Sequence, residues 1–347
     1  MGADQQIANI ARRALQHERL GRTDILDLAA ASADEPYQLL HWAGRVRRKH
    51  FGNRVKLCSI AAGKVGACSE DCKWCAQSAS LCAPLKPTRT NPEQIAAAAI
   101  EADRNGAASF GIVNSGRRPS QTDLDELASA SRQIRRQGGC DIQICASLGE
   151  LDHNTAAQLV SAGVTRYNHN LETSGSFFAQ VVSTHSYEDR LKTLRQARKA
   201  GMSLCCGAIF GLGEDWEDRA ELALTLRDEV CPDVVPMNFL HPIAGTPLEA
   251  SEPLEPMEIL RIIAIFRLVM PNVDLKLAGG REVNLRDLQS WMFHAGATSC
   301  LVGNYLTTPG RSCDEDLQMI ADLGMHVVKS FTYKAIAEPP AGKSRTT

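Results

Sequence analysis

From about residue 55 the chain alternates short apolar runs with segments of helical periodicity. VKLCSIAAG reads as a first strand, and SFGIVNSG, DIQICASL, TRYNHNLE, MSLCCGAIFG, DVVPMNFL, VDLKLAGG and TSCLVG read as seven more. The helical segments between them carry recognisable starts. Asn91 and Pro92 supply an N-cap and a proline at the first helical position, and Gly106 closes that helix. Ser186 with Asp189, and Ser312 with Glu315, have the spacing of capping boxes. Eight such strand–helix units predict an α/β fold, a (β/α)8 TIM-type barrel, with an open doubly wound sheet as the alternative. Residues 1–54 read as an N-terminal helical extension, 55–334 as one undivided barrel, and 335–347 as a disordered tail.

The period of two within a strand also assigns faces. Leu275 and Leu277 face the outer helices, which turns Lys276 inward. Ile142 and Ile144 do the same for Cys145. An inward lysine needs an anionic partner, because an unpaired buried ammonium is costly. In TRYNHNLE, Asn168, Asn170 and Glu172 share one face, and two amides with a carboxylate on an inner face call for something to bind. Cys206, next to Cys205, points outward unless a bulge re-aims it.

Charge and composition narrow the function. Among 347 residues, 38 Lys and Arg stand against 40 Asp and Glu, a net charge of −2, which excludes a protein built mainly to grip a nucleic-acid backbone. Aromatic residues make up 5%, too few to favour base stacking. No apolar run reaches a membrane span, and the first residues lack a secretory core, so the expected setting is cytoplasmic. That setting matters for the 12 cysteines, which in a reducing compartment bind metal or do chemistry more often than they form disulfides. Cys300 and Cys231 are expected to be small buried hydrophobes.

Cys68, Cys72 and Cys75, spaced by three residues and then two in the loop after the first strand, are the strongest signal in the chain. Soft thiolates select zinc or iron–sulfur clusters. A structural zinc closes with four ligands, and His50 and Cys82 fall outside the usual patterns for the fourth. Three thiolates on a four-iron cluster leave one iron open to a small molecule. The spacing therefore favours the cluster over zinc or plain structural cysteines.

The CxxxCxxC pattern with Trp74 before its last cysteine resembles the radical S-adenosylmethionine superfamily. Within it the chain is similar to the biotin synthase family, through residues 66–78, 167–174, 210–214, 237–249, 279–286 and 304–310. The resemblance implies a [4Fe–4S] cluster on Cys68, Cys72 and Cys75, with S-adenosyl-L-methionine chelated at its open iron. Reductive cleavage then yields a 5′-deoxyadenosyl radical that takes hydrogen from dethiobiotin before sulfur is inserted. Asn168, Asn170 and Asn238 would contact the substrate, and Thr307 and Thr308 its carboxylate. Trp74, Asn170, Glu172, Gly207 and Ile209 would contact the cofactor, Glu172 standing where the family often has aspartate. A flavodoxin or ferredoxin donor and a homodimer are the family's expectations.

One site departs from the pattern. The family carries a [2Fe–2S] auxiliary cluster on three cysteines and an arginine. Here Cys145 and Cys205 match, but Gly111 takes the third cysteine position and Lys276 the arginine position. Three readings follow. The first is a biotin synthase with a differently built auxiliary cluster on Cys145 and Cys205, with Cys206 and Lys276 as further candidates. The second is a related radical enzyme acting on another small molecule without sulfur insertion. The third is a noncatalytic iron–sulfur or zinc protein.

Overall fold

The computed structural model describes residues 2–79, 81, 85–137, 139–306 and 310–331. Among them eight parallel strands form the barrel: β1 (Arg54–Val65), β2 (Ala107–Asn114), β3 (Gln143–Ser147), β4 (Arg166–Asn168), β5 (Ser203–Cys205), β6 (Val234–Phe239), β7 (Asp274–Leu277) and β8 (Ser299–Leu301). Each pairs with the next, and β8 returns to β1 with Ser299 opposite Lys56. The sheet is closed, which excludes the doubly wound alternative. Among the described residues no helix is long and apolar enough to cross a membrane. The expected tail at 335–347 lies outside the described residues.

The local signals act as their chemistry requires. The Asn91 side chain accepts from the Gln94 amide, Pro92 opens the helix Pro92–Arg104, and Gly106 ends the segment at a φ of +87°. Both capping boxes form, at Ser186 with Asp189 and at Ser312 with Glu315.

Two strands differ from the sequence reading. TRYNHNLE is ladder only as far as Asn168, and Glu172 takes a φ of +71°, so the alternation stops. MSLCCGAIFG yields β5 and a separate short strand, Ala208–Phe210, which joins β6 further along. Pro236 on β6 has no N–H to give the ladder there. Gly207 passes so close that a β-carbon on it would stand 1.9 Å from the Pro236 carbonyl oxygen. Glycine at 207 is a condition of that crossing.

Inward positions run in steps of two. Cys58 and Ile60, Ser109 and Gly111, Cys145 and Ser147, Arg166 and Asn168, Pro236 and Asn238, Lys276 and Ala278 all face one interior space. At its floor, by the strand N-termini, the Lys56 ammonium lies 2.6 Å from Asp274. Asp274 also accepts from Thr298 and Ser299, each at 2.7 Å, so this buried charge is satisfied on every side.

Residues before the barrel form α1 (Ala3–Leu15), α2 (Arg22–Asp34) and α3 (Pro36–Phe51), which share one apolar core with the barrel and its helices. Arg47 of α3 is fully buried and donates to three backbone carbonyls: Ala297 at 2.7 Å, Gly52 at 2.7 Å and Arg54 at 2.9 Å. It thereby ties α3 to the starts of β1 and β8. Replacing Arg47 with Met leaves those acceptors unpaired, and since each costs about 1–3 kcal/mol, we expect a loss of at least ~2 kcal/mol in denaturant unfolding.

Candidate active site

The loop after β1 presents Cys68, Cys72 and Cys75 to a cavity of about 370 Å³ at the C-terminal mouth of the barrel, the end at which such barrels place their chemistry. Backbone bonds shape the loop: the Cys68 amide donates to Gln77, the Cys75 amide to Cys72, and the Ala79 amide to Cys68. Trp74 and Cys72 pack against an apolar cluster that includes Phe178, Val181 and Leu212. Burial pushes the Cys72 thiol up to about 12. Among the described residues no three Cys, His, Asp or Glu side chains converge on a point that one metal ion could occupy. Cys82 lies outside the described residues.

The loop is latched to the segment around residue 184. Asp71 accepts from the Ser183 amide at 2.9 Å, the Thr184 amide at 3.2 Å and the Thr184 hydroxyl at 3.0 Å. Burial would raise this carboxyl, but a bond from the Ser183 hydroxyl, together with those from the Ser183 amide and Thr184, outweighs it and holds it down at about 2. Glu70 beside it lies 2.7 Å from the same Thr184 hydroxyl, whose one proton the two carboxylates share, and pairs with the His185 ring. Sequence reading missed this latch, because its two halves are more than a hundred residues apart.

Asn168, Asn170, Glu172 and Asn238 all line the same cavity. They differ in how much of each side chain is still available. The Asn168 amide makes one long contact, 3.5 Å to Ser147 Oγ. Asn170 accepts from the Gly207 amide at 3.2 Å and donates to Glu172 at 3.4 Å. Asn238 donates to the Ala208 carbonyl at 3.0 Å and accepts from the Gly279 amide at 2.9 Å, so it also staples the barrel rim. Burial pushes the Glu172 carboxyl up, against the pull of Arg190, whose guanidinium is 3.5 Å away, and of Asn170. Ile209 lines an adjoining cleft with Trp74 and Asn238. Gly207 contributes backbone only, its carbonyl accepting from Leu171 and Glu172. Thr307 and Thr308 lie outside the described residues.

Cys145, Cys205 and Lys276 meet at the deep end of the cavity. Burial pushes the Cys145 thiol up to about 12. The structure adds two inward residues that the sequence reading passed over, Cys58 on β1 and Arg166 on β4. The signal existed in both cases: Val55 and Leu57 face outward, which by alternation sends Cys58 inward, and Arg166 stands two residues before the inward Asn168. Cys206 is absent from this space: it is fully buried in the apolar core outside the barrel wall, as alternation demands. Cys300 is buried as expected, but Cys231 is exposed. It follows the helical turn Leu226–Val230 in a left-handed conformation, φ +45°, which carries it out of the core.

Two family matches cover most of the chain. Residues 64–226 match the radical SAM superfamily, and 236–326 match the Biotin and Thiamin Synthesis associated domain. Similar relatives include the biotin synthase of Geotalea daltonii, 48% identical over 88% of this chain and 92% of that one. That of Geobacter sulfurreducens is 46% identical over 92% and 97%. In fold, the chain is similar to methylornithine synthase, with a TM-score of 0.80 at 19% identity, covering 92% of this chain and 97% of that one.

The latch has a measurable consequence. Asp71→Ala should raise hydrogen exchange across residues 68–79 by tenfold or more, leaving the amides of β2 and β3 protected; equal exchange in both proteins would refute the latch.

Proposed function

The chain belongs to the biotin synthase family of radical S-adenosylmethionine sulfurtransferases, and from that premise we propose how its residues divide the work on dethiobiotin. The carrying observation is that three loop thiols, three asparagines and a deep thiol–lysine group line one cavity. Cys68, Cys72 and Cys75 hold the [4Fe–4S] cluster. The fit rests on three free thiols on one wall of that cavity, in a loop anchored on both sides. When bound, the cluster and S-adenosylmethionine supply a carbon-centred radical able to take hydrogen from an unactivated carbon.

The protein's own part is to hold, orient and exclude. Asn168 has donors and an acceptor to spare, the complement of a cyclic urea, and we assign it the main hydrogen bonds to the substrate ring. Asn170 and Asn238 contribute what their backbone bonds leave over. Glu172, steadied by Arg190 and Asn170, accepts from the hydroxyls of the cofactor's ribose. Ile60, Trp74 and Leu301 give the cavity apolar walls that exclude water and stray hydrogen donors. Cys145 and Cys205, in the same cavity, would hold an auxiliary iron–sulfur cluster, the sulfur source that insertion requires.

Alanine at any one of Cys68, Cys72 or Cys75 should abolish 5′-deoxyadenosine formation, measured by chromatography after anaerobic reduction. A single variant that keeps full cleavage would remove that cysteine from the cluster.

Asn168→Ala should weaken dethiobiotin binding by about tenfold, consistent with ~1–3 kcal/mol for a buried amide paired to ligand, while its melting temperature stays near that of the parent. Unchanged affinity would overturn the substrate assignment.

A further inference from the structure

We propose that Cys58 supplies the third thiol of the deep site, so that the auxiliary cluster is held by Cys58, Cys145 and Cys205 with Lys276 as their cation. The inference rests on the reading above that a second cluster binds there, and it changes where that cluster's ligands come from.

The ligand missing from β2 has a counterpart one strand away. At Gly111 a β-carbon would stand 3.2 Å from Ile60 Cγ2, so a side chain there would need the β1 side chain to give way slightly. Cys58 lies on β1, two residues before Ile60 and on the same inward face. Its thiol and that of Cys205 are joined by one group: Lys276 Nζ lies 3.6 Å from Cys58 Sγ and 3.5 Å from Cys205 Sγ. Cys145 lines the same cavity with Cys58, Cys205, Lys276 and Arg166, all of which act on it electrostatically. Cys206, the other spare thiol of the region, is shut behind the barrel wall.

The environment of Lys276 argues against three inert core cysteines. Among the described residues Lys276 forms no ion pair with a carboxylate, and its side-chain bonds go to two thiols. A buried ammonium gains little from neutral thiols and much from thiolates. Each thiol gives up its proton on binding iron, and the resulting sulfur-rich group carries negative charge. Lys276 and Arg166 then face an anion, which accounts for two cations at the deep end of the cavity. Lys276 acts here as a hydrogen-bonding point charge and not as a ligand, since a protonated amine has no lone pair to offer.

The test uses full-length protein carrying Cys68→Ala, Cys72→Ala and Cys75→Ala, reconstituted anaerobically with iron and sulfide, so that only the deep site can retain iron. Iron and acid-labile sulfide are counted and Mössbauer spectra recorded. Adding Cys58→Ala, Cys145→Ala or Cys205→Ala should each remove most of the remaining iron, and adding Cys206→Ala should leave the count unchanged. Cys58→Ser, which keeps the side-chain volume, serves where the alanine variant does not fold; it should alter the Mössbauer parameters or lower the count. Full iron with an unchanged spectrum in the folded Cys58 variants, alongside loss in the Cys145 and Cys205 variants, overturns the role of Cys58 and leaves the auxiliary cluster standing. An iron-free parent triple variant overturns the auxiliary cluster and this ligand set with it.

Discussion

Closure of the sheet is the constraint on which the rest of the molecule depends. Once β8 pairs back onto β1, every second residue of eight strands must point into a space without bulk water. Polar groups placed there have to be paired. The chain meets this demand at successive levels along the barrel: Lys56 with Asp274 at the floor, Lys276 with thiols above it, and Glu172 with Arg190 and Asn170 near the mouth. The floor is fully paired and structural. The upper levels keep unused hydrogen-bonding capacity, and they are the ones that face the cavity.

The same closure separates rigid from adjustable parts. Side chains on the strands, such as Cys145 and Asn168, are positioned by ladder hydrogen bonds and inherit the stiffness of the barrel. Cys68, Cys72 and Cys75 ride on a loop whose position is set by the Asp71 and Glu70 contacts with Ser183, Thr184 and His185. A rigid base under a latched loop fixes the loop cysteines relative to the strand side chains that line the same cavity.

Belonging to a family at 41–48% identity does not oblige a chain to keep every ligand of that family. Glycine at 111 and lysine at 276 would read as losses if strands were compared one at a time. In a closed barrel neighbouring strands face the same volume, so a ligand can move from β2 to β1 without leaving the site. Chemistry is set by which atoms reach the cavity, and several strand positions can deliver the same atom.

Much of this was legible in the chain itself. The eight strand–helix units, the capping boxes and the CxxxCxxC loop are local patterns, and local patterns survive in one dimension. Alternation correctly sent Cys145 and Lys276 inward and Cys206 outward, because a strand's pleat is a property of its own backbone. Its premise ran out at Glu172, where the ladder had already ended and φ turned positive, although that side chain still reaches the cavity. It had no means of foreseeing the break at Cys206 and Gly207, which arises from the proximity of Pro236 on another strand. Nor could spacing show that Asn238 is partly committed to the Ala208 and Gly279 backbone while Asn168 is not. The sequence by itself determined the fold, the family and the identity of the reactive groups, since these depend on local pattern and residue type. Only the tertiary structure decided how near those groups come to one another, bringing Lys276 within reach of both Cys58 and Cys205, because distances between strands are set by closure of the sheet and leave no trace in the order of residues.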